Sequence, residues 1–177
     1  NGTNATAGQF DGFFNLLSAD SDVSDISGTT STAANVIDEM GKVVNAIPSA
    51  VYGNEDLYLY VSSNLARNYI RALGGFGASG LGAAGIDNKG TTWFTNGALS
   101  FDGIPVVVAK GMGDNTMIAA RKSNLYFGTG LLNDTNEVKV IDMADYDGSQ
   151  NVRVVVRFTA NVIHGFGGDI VLYHSTV

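Results

Sequence analysis

The 177-residue chain has no cysteine. That excludes a disulfide framework, a thiolate metal site and a cysteine nucleophile, and fits an assembly formed in a reducing compartment. It holds only 2 prolines against 23 glycines, so it turns often but seldom through rigid corners. The glycines have no three-residue period, which excludes a collagen helix. Basic residues are scarce and scattered: 10 Lys and Arg face 17 Asp and Glu, for a formal net charge of −7. Binding a phosphate backbone needs clustered cations, so a nucleic-acid partner is disfavoured. No apolar run approaches the roughly 18 residues of a membrane-spanning helix, and the start lacks a basic region followed by an apolar stretch. The first residue, Asn1, fits a processed or excised fragment.

Catalytic motifs are missing as well. Gly75, Gly77 and Gly80 match G-x-G-x-x-G, but a dinucleotide loop must follow a strand and open a helix. Here the motif follows a predicted helix and runs into more glycine, as a terminator and flexible turn would. Asp102 sits at about the right distance for a ribose ligand, yet in an Asp-Gly turn before a strand. His164 and His174 are the only histidines, and a ten-residue separation has no zinc signature. Asp20/Asp22 and Asp145/Asp147 look like fragments of calcium loops without the full ligand spacing. No serine lies in a G-x-S-x-G elbow. The expectation is therefore a structural, self-associating protein and not an enzyme, with no catalytic, cofactor-binding or metal residue assigned and no cofactor. Asn1, Asn4 and Asn133 stand in sequons, a frequent pattern that implies secretion only weakly.

A hydrophobic fraction of 45% and a mean hydropathy of +0.11 fit a folded body. Phe10, Phe13, Phe14, Leu16 and Leu17 make an apolar patch of one or two helical turns that must dock to be stable. A loop follows, with a short strand over Val23–Ile26. Val36, Ile37, Met40, Val43, Val44 and Ile47 recur at helical spacing and predict a helix from Thr32 to Ile47, capped by Thr30 or Ser31 and stopped by Pro48. Leu57–Val61 alternates as a strand, and if Leu57, Leu59 and Val61 face the core, Tyr58 and Tyr60 meet another element or another subunit. A second helix, Asn64–Leu73, places Arg67 and Arg71 on a strip facing solvent or an acidic partner. After the glycine-rich connector of residues 74–90, strands are predicted at Ile104–Val108, Met117–Ala120, Leu125–Phe127 and Val138–Asp142. Pro105 confines the first of these to an edge or to its opening residues. Val152–Phe158 alternates as a long antiparallel strand, with Ile170–Tyr173 as its return partner across Gly165–Gly168. The order indicates an α+β fold without internal repeats.

Three stretches carry a resemblance. They are VIDEMGKVVNAIPSAVYGNEDLYLYVSSNLARNYIRAL (residues 36–73), LSFDGIPVVVAKGMGDNTMIAARKSNLYFGTGLL (99–132) and EVKVIDMADYDGSQNVRVVVRFTANVIHGFGGDIVLY (137–173). Val61–Asn64, Gly103–Val107 and Phe127–Gly128 fall in the order of the C-terminal half of a tailed-bacteriophage or prophage major capsid protein, which residues 31–177 resemble. The resemblance implies an axial domain plus part of a peripheral domain with a long terminal β-hairpin. Residues 1–30 would be a loop and part of the peripheral domain, 31–145 the axial-domain-like region, and 146–177 the peripheral hairpin. It implies a structural subunit of an icosahedral shell enclosing DNA, a virion component assembled in the host bacterial cytoplasm. Its partners would be other copies in pentamers and hexamers, with scaffolding or portal proteins besides, and neither a specific nucleic-acid sequence nor a membrane. The alternatives are a secreted or cell-surface adhesion domain, from the abundant Thr, Gly and Asn, and a small hydrolase with a dispersed site.

Overall fold

The computed structural model describes residues 11–74, 99–129, 137–144, 148, 150–157 and 160–175. The glycine motif at 75–80, and Trp93 and Phe94, lie outside them.

The apolar patch near the start forms α1 (Phe13–Ala19), followed by β1 (Ser24–Gly28). α2 (Val36–Ala46) begins four residues later than its periodicity predicts. Asn35 is the cause: its side-chain oxygen accepts from the Thr32 backbone N–H at 2.7 Å and the Thr32 hydroxyl at 3.0 Å. This folds residues 32–35 into a turn ahead of the helix, so neither Thr30 nor Ser31 caps it. β2 (Leu57–Val61) leads into α3 (Ser63–Gly74), whose first helical bond runs from the Ala66 N–H to the Ser62 carbonyl. β3 (Ser100–Phe101), β4 (Ile104–Val108), β5 (Thr116–Arg121), β6 (Leu125–Thr129), β7 (Glu137–Asp142), β8 (Val152–Arg157), β9 (Ala160–His164) and β10 (Val171–Ser175) complete the described strands.

Six strands form one sheet in the order β1-β10-β5-β2-β4-β3, with β1–β10 and β2–β4 parallel and the other pairs antiparallel. Pro105 sits in the opening residues of β4, opposite Ser100 of the two-residue edge strand β3, where its missing N–H is tolerated. The β3–β4 reversal needs left-handed backbone, supplied by Asp102 at φ 46° and Gly103 at φ 78°.

The middle strands are covered on both faces, and their alternation divides the core in two. Met117 and Ala119 of β5, Val171 and Tyr173 of β10, and Leu57, Leu59 and Val61 of β2 face α2 and α3. Ile118, Ala120 and Leu172 face the other way, packing with Leu17 of α1, Val23 and Ile170. Full burial of one such side chain is worth about 1.5–3 kcal/mol, so this double layer provides the main stabilisation.

The remaining four described strands make two antiparallel two-stranded ribbons, β6 with β9 and β7 with β8, the second nested within the first in sequence. The long hairpin is therefore present, but Val152–Arg157 pairs with β7 and not with Ile170–Tyr173. The physical reason is that Val171, Leu172 and Tyr173 are wholly buried. They gain more between β1 and β5 than they would in an exposed two-stranded ribbon.

Candidate assembly surfaces

Both histidines are held in structural pairs. His164 donates through Nε2 to Asp20 Oδ2 at 2.7 Å, and Asp20 Oδ1 accepts the Asp22 N–H at 2.9 Å. The Asp22 N–H foremost, and His164 after it, hold the Asp20 carboxyl below its usual range. His164 Nδ1 is buried and has no hydrogen-bond partner among the described residues. His174 lies 3.3 Å from Asp25, and the Phe14 ring meets its imidazole edge-on at 6.1 Å. The two histidines thus each pair with one aspartate of the α1–β1 segment. Among the described residues no three His, Asp or Glu side chains gather to hold a metal ion. The Asp20/Asp22 pair serves this turn, and Asp145 and Asp147 lie outside the described residues.

One buried polar cluster escapes sequence reasoning. Glu39, on the core-facing side of α2, accepts from the Tyr173 hydroxyl at 2.8 Å, the Thr29 hydroxyl at 2.8 Å and Lys42 Nζ at 3.0 Å. Burial pushes the Glu39 carboxyl up, but the bonds from Lys42, Thr29 and Tyr173 outweigh it and hold the carboxyl low. Burial, and then the neighbouring Glu39, push the Tyr173 phenol far up. A second cluster links Asn64 and Asn115: the Asn115 N–H donates to Asn64 Oδ1, and Asn115 Oδ1 accepts from Asn64 and from the Ser31 N–H, all at 3.0 Å. The first cluster joins α2 to β10 and the second joins α3 to the turn before β5; their partners are too far apart in sequence to form a motif.

Three surfaces have no covering element among the described residues. Arg67 and Arg71 are exposed on α3, on the side opposite Leu65 and Tyr69, and neither is ion-paired to a described residue. Tyr60 faces α1 and so meets another element of its own chain. It helps line an apolar groove of about 440 Å³ with Phe13 and Phe14 of α1, Met112, Ile118, Leu125 and Val162. Tyr126 and Phe127 of β6, Ile163 of β9 and Phe166 are all more than half exposed. In the β7–β8 pair Val140 is 67% exposed, and Val152 and Val154 are similarly open. Val140 stands directly opposite Val154, so these valines share one face of the ribbon. Apolar exposure on this scale marks contact surfaces.

No described helix is long and apolar enough to cross a membrane. No protein-family model matches the chain, and no curated protein matches it either. Solved structures do. A chain from Mycobacterium phage Che8 matches with a TM-score of 0.57 and 15% identity, covering 90% of this chain and 55% of its own. The capsid chain of an empty GTA particle gives 0.56 and 13%, covering 88% of this chain and 50% of its own. The procapsid of satellite phage P4 gives 0.51 and 11%, covering 98% and 50%. The chain thus spans about half the length of these solved chains. Its α+β architecture is the phage-capsid fold, as the sequence resemblance implies.

Proposed function

We propose that the chain is a structural subunit of a viral shell that works by associating with copies of itself. The observation that carries this reading is the backbone match over most of the chain to capsid and procapsid chains. The uncovered apolar groove and ribbon give it physical support, because a subunit that works through its faces must leave adhesive surface exposed. In this reading the role is non-enzymatic, which agrees with the pairing of each histidine to an aspartate of the α1–β1 segment.

In this reading the copies form pentamers and hexamers that close around DNA in a tailed-phage or prophage virion, assembled in the host bacterial cytoplasm. Scaffolding and portal proteins would be further partners. The acidic balance keeps the subunits from adhering to packaged nucleic acid. In the same reading residues 31–145 would form the axial-domain-like region, and residues 1–30 and 146–177 would belong to the peripheral domain. No observation favours an adhesion domain or a hydrolase.

Electron microscopy and sedimentation of the purified chain test the proposal. Rings or shells that grow with concentration are expected. A species that stays monomeric across about 1 μM to 1 mM, the range in which weak interfaces associate, would overturn it.

A further inference from the structure

The charges of the chain are unevenly placed. Residues 1–41 hold Asp11, Asp20, Asp22, Asp25, Asp38 and Glu39 and no Lys or Arg. From residue 57 to residue 86 the only charged side chains are Arg67 and Arg71. The fold sets these arginines at one end of the sheet. The Tyr69 hydroxyl donates to the Ser100 carbonyl at 2.7 Å and its ring meets Phe101 edge-on at 5.9 Å, so α3 lies over β3. On the other side of α3, Arg67 and Arg71 are exposed and ion-paired to no described residue. β1 closes the opposite end of the sheet. Asp25 on β1 and Asp22 in the turn before it are both exposed. Asp25 stands in register with Leu172, on the sheet face that packs against α1 and not the one under α3.

From β1 to β3 the sheet is six strands wide, which at about 4.8 Å per spacing is roughly 24 Å. The two charged ends are thus too far apart, and on opposite faces, to pair within one chain. We infer that the Arg67/Arg71 strip of one copy contacts Asp22 and Asp25 of a second copy. The contact joins two different patches, so it is heterologous: it repeats head to tail and closes into a ring where the rotation permits. Copies of net charge −7 otherwise repel, and a cation-only strip facing an anion-only edge gives them a preferred orientation. Exposed ion pairs add little stability each, so this contact selects which faces meet, while apolar burial holds them together. It rests on the reading of the chain as a self-associating subunit and names the charges that orient the association.

Charge reversal in the full chain tests it. One variant carries Arg67→Glu with Arg71→Glu, and a second carries Asp22→Arg with Asp25→Arg. In sedimentation each alone should need about tenfold or more protein to associate than the unmodified chain does. A 1:1 mixture should recover association, because every contact between unlike variants again joins opposite charges. Raising salt from about 0.1 M to about 1 M, which cuts the screening length from about 10 Å to about 3 Å, should weaken association of the unmodified chain. Circular dichroism checks that each variant folds; if the aspartate variant does not, the arginine variant and the salt series decide, since both arginines are exposed. An arginine variant that associates like the unmodified chain overturns the contact while self-association stands. So does a mixture of folded variants that recovers nothing, or an association that salt leaves unchanged. If the unmodified chain never associates, both the contact and the proposed function fall.

Discussion

Tyr173→Phe removes one oxygen from the middle of the molecule and isolates the bond that joins the last strand to α2. The side chain is wholly buried, and its hydroxyl donates to Glu39 at 2.8 Å while lying 3.0 Å from the Thr29 carbonyl. A hydrogen bond to an ionised group contributes about 1.5–3 kcal/mol. Glu39 keeps Thr29 and Lys42 as donors and is not stranded, which places the loss near the lower end of that range. For a chain of this size, about 1.5–2 kcal/mol lowers the melting temperature by roughly 3–8 °C. Urea unfolding of Tyr173→Phe, Glu39→Gln and the double variant forms a cycle whose coupling should be about 1 kcal/mol or more, since the residues are in contact. Coupling within about 0.3 kcal/mol of zero, the scatter for independent sites, would refute the claim that this bond links β10 to α2.

Gly28→Ala should destabilise by about 1–3 kcal/mol, seen in the urea midpoint, because an added Cβ would lie 2.1 Å from the Tyr173 hydroxyl. Leu17→Ala should cost about 2–5 kcal/mol by calorimetry, as Leu17 is the fully buried residue that docks α1. For pH, the folded Glu39 and Asp20 carboxyls, and that of Asp56, which accepts from the Ser123 hydroxyl, titrate below their ordinary values of 4.5, 3.8 and 3.8. Their contribution is complete above those values and is lost as pH falls through the folded ones. Tyr173 is raised above its ordinary 10.0, so its contribution holds below that value and fades as pH climbs beyond it. A melting temperature level from about pH 5.5 to 9 that drops on both sides is expected; a maximum below pH 4 would contradict these directions.

Local patterns in the sequence were legible, and long-range pairing was not. The alternation of Leu57, Leu59 and Val61 and the helical spacing from Val36 to Val44 state which side is buried, and the structure agrees. The start of α2 was misplaced because Asn35 competes for Thr32 through its side chain, which periodicity does not register. The partner of Val152–Arg157 was misassigned for a different reason. Both β7 and β10 are apolar enough to pair with it, and the choice is made by Tyr173, whose place beside α2 depends on Glu39 and Gly28. His164 and His174 were legible as strand-end residues, but the two aspartates that bind them come from the other end of the chain. The groove could not be seen at all, since its walls come from α1, β2, β5, β6 and β9 and meet only in the folded molecule.

The place of β10 in the sheet bears on timing. It lies between β1 and β5, so β1 has no hydrogen-bonded neighbour in the sheet until Val171–Ser175 arrives. Translation runs from the first residue to the last, and a non-local pairing of this kind closes late and slowly. A chain halted before residue 171 would lack the strand that carries Tyr173, and α2 would lose the Glu39–Tyr173 bond while keeping its packing on β2 and β5. The complete sheet would then appear only on chains translated through that strand, so an interrupted product would differ from the finished molecule at its middle and not merely at its end.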